Sequence, residues 1–147
     1  MPTKATLRWT SNLGFTANVK QFQELVVDEP QQFHGDDRGP SSLEYLCVGI
    51  GGCMGTSLVY CLKRFKATFS ELQVDAAAEI HHVPPNRMLR VTALHVDFHI
   101  TPDPATQDNI DNINECYEHF AKYCVVTQSV KQGIPFDIKL KINDGTP

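Results

Sequence analysis

Between Leu43 and Phe65 the chain runs without a proline and is apolar on almost every side until Lys63 and Arg64. Ser41, with Glu44 three residues on and Pro40 just ahead, carries the signature of a capping box and predicts where a helix begins. A helix that is apolar all round is expected to be buried all round. At about 1.5 Å per residue this one would be roughly 35 Å long, too long to be hidden inside one small domain. The expectation is therefore a homodimer, in which a second copy of the chain covers part of the helix. Lys63, Arg64 and Lys66 at its end complement the helix dipole.

On either side of this stretch the period changes to two. Leu7 and Trp9, then Phe15, Ala17 and Val19, alternate with polar residues and predict half-buried strands, with Thr10–Gly14 as the hairpin loop between them. Phe22–Val27 extends the meander. Leu72, Val74, Ala76, Ala78 and Ile80 predict another strand, and Val83-Pro84-Pro85-Asn86 a turn. On the return strand, Arg87–Thr101, the apolar positions are odd up to Ala93 and even from Leu94, which predicts a bulge near Ala93. Pro104–Tyr123 reads as a second, amphipathic helix, with a short helical piece from Cys124 toward Gly133. Phe136, Ile138, Leu140 and Ile142 predict a final strand. The order βββ, long helix, ββ, helix, β is that of an α+β domain. The 147 residues are enough for one domain, taken as 1–147.

A net charge of −4 gives no general attraction to nucleic acid or to an anionic membrane. The chain is read as holding no stretch of about 18 apolar residues, so nothing is expected to span a membrane. The N-terminus lacks the apolar core of a signal peptide. Five cysteines, an odd number outside CxxC pairs, fit reduced thiols and a cytoplasmic location better than a secreted disulfide scaffold.

Helix geometry limits which thiols can pair, since a disulfide needs Cα atoms within about 7 Å. Cys47 and Cys53 are separated by about 9 Å of helical rise, and Cys53 and Cys61 by roughly 12 Å. A redox pair must instead join the long helix to Cys116 or Cys124. Cys53 has the most unusual neighbours, because Gly51 and Gly52 weaken the helix just before it, by roughly 0.5–1 kcal/mol each. The glycines mark either a close approach of another backbone or a small cavity beside the sulfur. Cys53 lies beyond the reach of the helix-start dipole, so its reactivity calls for a cation from elsewhere. Arg38, in the loop that leads into the helix, is the best placed in sequence.

These residues resemble the OsmC/Ohr family, the osmotically induced and organic-hydroperoxide-resistance proteins. The resemblance rests on Gly39-Pro40-Ser41-Ser42-Leu43-Glu44 opening the long helix and on Gly51-Gly52-Cys53 within it. It extends to Tyr123-Cys124-Val125-Val126 ahead of Gly133-Ile134-Pro135-Phe136. It implies an intertwined homodimer with antiparallel sheets wrapped around long central helices. It also implies a thiol peroxidase without metal or organic cofactor. A Cys53 thiolate attacks a hydroperoxide, Cys124 condenses with the resulting sulfenic acid, and an external dithiol reductant restores both. In the family an arginine activates the nucleophile and a glutamate near the helix start holds that arginine. Arg38 and Glu44 are the candidates here, although Glu44 lies about 180° around an ideal helix from Cys53 and also suits the capping box. Val125 stands where the family commonly has proline.

Other chemistries have weaker support. A cysteine hydrolase would need a histidine beside Cys53, and no motif pairs one with it. His81, His82, His95 and His99 would need a third element to converge on zinc. A non-catalytic dimer that binds small hydrophobic ligands or senses redox state is the remaining alternative.

Overall fold

The computed structural model describes residues 2–143. Three strands open the chain: β1 (Thr6–Ser11), β2 (Gly14–Val19) and β3 (Phe22–Val27), an antiparallel sheet in the order β1-β2-β3. The first hairpin is tighter than the expected Thr10–Gly14 loop. Ser11 pairs with Gly14, and Asn12 takes the left-handed conformation that such a turn requires (φ 48°).

Helix α1 (Ser42–Arg64) follows, capped as its sequence predicts. Ser41 Oγ accepts from the Glu44 backbone N–H at 3.3 Å, and Glu44 Oε2 accepts from the Ser41 N–H at 2.6 Å. Such a cap is worth about 1 kcal/mol. By length and apolarity α1 is sufficient to cross a bilayer, with a mean hydropathy of 1.6 over its most apolar window. This corrects the expectation that the chain holds no such run. Ile50, Gly51, Leu58, Cys61 and Leu62 on one side of α1 are buried within the fold. The single chain covers only this side of the helix. Val48, Gly49, Gly52, Thr56 and Tyr60 form an exposed stripe along the other side, Val48 being 66% and Tyr60 61% accessible.

Strands β4 (Phe69–Val83) and β5 (Met88–Pro102) make a long antiparallel hairpin. Glu79 pairs with Ala93 but Ile80 with Val91, so Thr92 is the extra residue of the bulge that the phase slip predicts. The apolar face of the hairpin lies on α1, and Leu58, Cys61, Leu62, Ala67, Ile113, Cys116 and Phe120 form the central core. Burying each leucine stabilises by roughly 1.5–3 kcal/mol.

The second helix is shorter than Pro104–Tyr123. Thr106 Oγ1 accepts from Asn109 N–H and starts α2 (Gln107–His119). The chain then tightens into a 3-10 turn, Phe120–Tyr123, before α3 (Val125–Gln132). Asn109 ties α2 to the end of α1. Its side chain accepts from Thr68 N–H at 2.9 Å and donates to the Thr68 and Pro104 carbonyls at 2.8 Å.

Beyond Gly133 the expected strand does not form within the single chain. Phe136, Ile138, Leu140 and Ile142 alternate as predicted but are 85–88% exposed and pair with no strand among the described residues. Alternation specifies two faces; it does not supply an edge to pair with.

Candidate active site

Cys53 sits midway along α1, and Cys124 is the N-cap residue of α3. The 3-10 turn carries the chain from α2 back across α1 and brings the two thiols together, Sγ to Sγ, at 2.9 Å. Both are free thiols in this structure. Cys53 is half-buried, whereas Cys124 is fully buried. Of the two partners open to the first helix, the structure places Cys124, not Cys116, beside Cys53.

Cys116 belongs to a second pair. It lies against Cys61 in the core, where burial, the Cys61 thiol and the nearby Glu115 charge push its thiol up to about 12. Such a thiol is unreactive.

The surroundings of Cys53 and Cys124 differ from those of the core pair in having polar groups aimed at sulfur. Thr127 Oγ1 is 2.9 Å from Cys124 Sγ, and the Ser57 hydroxyl also reaches Cys124. Backbone N–H groups of Val126 and Thr127, at the N-terminus of α3, point at Cys53. Burial raises the Cys53 thiol and the shared proton with Cys124 raises it further, with the two N–H groups opposing; the net shift is upward. Burial also pushes on Cys124, but its hydrogen bonding with Cys53, Thr127 and Ser57 outweighs this and leaves that thiol below its ordinary value. At this distance the two thiols titrate as one pair.

The two glycines before Cys53 have separate roles. A Cβ on Gly51 would come within 3.1 Å of Ala76 Cβ on β4, so this glycine allows the strand's close approach. A Cβ on Gly52 would meet nothing within 4 Å. Gly52 instead opens a cavity of ≈ 440 Å³ beside Cys53, walled by Thr56, Ser57, Tyr60, Tyr123 and Val125. No charged side chain lines it.

Arg38 and Glu44 do not approach Cys53 of their own chain. Arg38 Nε donates to Asp28 Oδ2 at 3.0 Å, and its far end reaches Thr10 and Ser11 on the first hairpin. Burial pushes the Asp28 carboxyl up, but Arg38 and the N–H groups of Glu29, Arg38 and Asp36 overcome this and hold it below the usual carboxylate range. Glu44 closes the cap of α1. The strand histidines face elsewhere: His95 pairs with Glu79, His99 with Asp75, and His81 with Thr92. Among the described residues no group of three His, Cys, Asp or Glu side chains is arranged to hold a metal.

Sequence reasoning missed Ser57 and Thr127, although a local signal existed. Ser57 is one helical turn after Cys53, and Thr127 is three residues after Cys124, within the first turn of α3.

Solved structures share this architecture. An OsmC-like protein of Vibrio cholerae, of unknown function, superposes with TM-score 0.77 at 8% identity, over 89% of this chain and 94% of that one. An OsmC-like protein from Mycoplasma pneumoniae gives 0.72 at 17% identity, over 89% and 88%. An organic hydroperoxide resistance protein OsmC from Legionella pneumophila gives 0.65 at 12%, over 89% and 90%. At these identities the likeness establishes the fold. No curated protein matches the sequence. The family model for OsmC-like proteins matches residues 35–139, a span that contains both helix α1 and Cys124, and the chain belongs to the OsmC family.

Proposed function

We propose that the protein is a cysteine-based peroxidase that reduces organic hydroperoxides or hydrogen peroxide. The observation that carries this reading is the pair of free thiols 2.9 Å apart, one of them opening on an uncharged cavity. Cys53 attacks the O–O bond of ROOH, giving Cys53–S–OH and ROH. Cys124 then displaces the hydroxyl as water and forms a Cys53–Cys124 disulfide. An external dithiol reduces that disulfide by exchange and is itself oxidised. No cofactor enters these steps. A reducing, cytoplasmic setting suits the free thiols. The name of the Legionella relative, organic hydroperoxide resistance, agrees with the substrate class.

The working unit of this reading is a homodimer. The exposed stripe Val48, Gly52 and Tyr60 on α1 and the unpaired apolar residues from Phe136 to Ile142 support it. In such a dimer Arg38, remote from its own Cys53, serves the Cys53 of the other chain. Mixing Cys53→Ser chains with Arg38→Ala chains tests this, because each mixed dimer would then hold one complete site and regain activity.

The peroxidase reading is tested by mixing reduced protein with cumene hydroperoxide or hydrogen peroxide and following free thiols. Wild type should lose two thiols rapidly and Cys53→Ser none rapidly, while Cys124→Ser accumulates sulfinic acid at Cys53 under excess peroxide. Slow oxidation spread over all five cysteines would overturn it. A second reading, a dimer that binds small hydrophobic ligands, has one observation in its favour. A separate, mainly apolar cavity of ≈ 360 Å³ lies between Phe33, Leu43 and Leu89.

A further inference from the structure

We propose that Ser57 is a catalytic proton relay in the second step, carrying the proton of the Cys124 thiol to the hydroxyl that leaves Cys53. The proposal rests on the peroxidase reading and concerns how its disulfide closes. Cys124 has no accessible surface and does not line the cavity at Cys53, so its proton has no direct way out. In-line attack on the Cys53 sulfur puts the leaving oxygen on the side away from Cys124. The proton and the oxygen that needs it therefore stand on opposite sides of one sulfur. Ser57 reaches both sides. It follows Cys53 by one turn on the same face of α1, lines the cavity beside that sulfur, and hydrogen-bonds with Cys124. Thr127 Oγ1 meets the Cys124 sulfur at 2.9 Å but lines no part of the cavity, so it positions that sulfur without opening a path. Thr56 lines the cavity, but its hydroxyl donates to the Gly52 carbonyl at 2.8 Å. Among the described residues Ser57 is the hydroxyl that both touches Cys124 and faces the cavity. No carboxylate, histidine or lysine lines that cavity to do the work instead.

The step balances without a further reagent. After peroxide has reacted, Cys53 is the sulfenic acid and Cys124 a thiol. The Cys124 sulfur supplies the electron pair of the new S–S bond, and the departing oxygen keeps the pair of the broken S–O bond. The Cys124 S–H proton passes to Ser57 Oγ while the Ser57 O–H proton passes to that oxygen. Water leaves into the cavity, and Ser57 is again a neutral hydroxyl. Cys53–S–OH and Cys124–SH have become the disulfide and water. Releasing bare hydroxide beside an uncharged wall would be costly, and protonation during S–O cleavage avoids it.

The experiment mixes reduced protein rapidly with one equivalent of hydrogen peroxide and quenches it at intervals. Dimedone adducts report the sulfenic acid, and mass spectrometry reports the Cys53–Cys124 disulfide. The variants are Ser57→Ala and Ser57→Thr. Proton transfer by a positioned side chain contributes about 10²–10⁴-fold, so Ser57→Ala should lower the rate of disulfide formation, relative to that of sulfenic acid formation, by at least about tenfold. Slower closure leaves the sulfenic acid open to a second peroxide. Sulfinic acid at Cys53 should therefore appear in Ser57→Ala at peroxide concentrations at least about tenfold lower than in wild type. Ser57→Thr keeps the hydroxyl and should restore the ratio of the two rates, which a merely structural role for the side chain does not require. The proposal is overturned if Ser57→Ala closes the disulfide at the wild-type ratio. It is also overturned if Ser57→Thr is as slow as Ser57→Ala, since side-chain size and not the hydroxyl would then govern the step. Failure of the peroxidase reading looks different, because wild type itself would then form no sulfenic acid rapidly.

Discussion

Replacing Gly51 by alanine sets two forces of similar size against each other. The helix gains, since alanine is favoured over glycine in a helix interior by roughly 0.5–1 kcal/mol. The packing loses, because the new Cβ would lie 3.1 Å from Ala76 Cβ, well inside the ordinary carbon contact of about 3.5–4.0 Å. Ala76 has no rotamer with which to retreat; its Cβ moves only with the backbone of β4, which is paired to Val96. Overpacking of this kind costs about 1–3 kcal/mol, so the net effect should be a destabilisation of up to about 2 kcal/mol. For a chain of this size that corresponds to a fall in Tm of about 2–4 °C per kcal/mol. Ala76→Gly in the same molecule removes the obstructing methyl and should let the helical gain appear, giving a favourable coupling of about 1–3 kcal/mol. Urea unfolding of the four proteins, followed by far-UV circular dichroism at one fixed protein concentration, measures it. Additive effects, or a Gly51→Ala protein more stable than wild type, would refute close approach as the reason for this glycine.

Gly52→Val should act on chemistry rather than packing. It narrows the cavity at Cys53 and should slow turnover of cumene hydroperoxide more than that of hydrogen peroxide, as steady-state rates with the two oxidants would show. Leu62→Ala, at a fully buried core position, should lower unfolding free energy by about 2–5 kcal/mol in denaturant titration. Asp28 makes a pH prediction. Its carboxyl is held below the usual range, so its contribution is fully present above the unfolded value near 3.8 and is lost as pH falls through the lower folded value. Tm should therefore fall more steeply below about pH 4 in wild type than in Asp28→Asn; equal slopes would count against the Arg38–Asp28 pair.

Features set by neighbours in sequence were legible. The start of α1 follows from Ser41 and Glu44, and the bulge at Thr92 from a phase slip in apolar residues, because capping and pleat are local rules. Features set by what packs on the chain were not. The run from Leu43 to Phe65 has an apolar surface all round, but one chain covers only the side bearing Ile50, Leu58 and Leu62. The same holds for Phe136–Ile142, whose alternation carries no information about its partner. Elimination on the helix left Cys116 and Cys124 open as mates for Cys53, and the resemblance alone favoured Cys124. Nothing local links residues 71 apart in sequence. Arg38 was chosen for its nearness in sequence, but Asp28 lies across the loop and provides four hydrogen bonds.

The buried Cys61–Cys116 contact bears on how such a molecule survives its own substrate. With Cys116 pushed up to about 12, the fraction present as thiolate at pH 7 is on the order of 10⁻⁵ by the difference of five units. Rapid oxidation requires the thiolate, so peroxide that reaches Cys116 finds almost nothing to react with. Cys116 in the middle of the fold is thereby kept chemically silent, while Cys53 opens on a cavity where an oxidant can reach it. Burial of one thiol and access to another would confine damage, and a worn-out molecule should carry its irreversible lesions at Cys53.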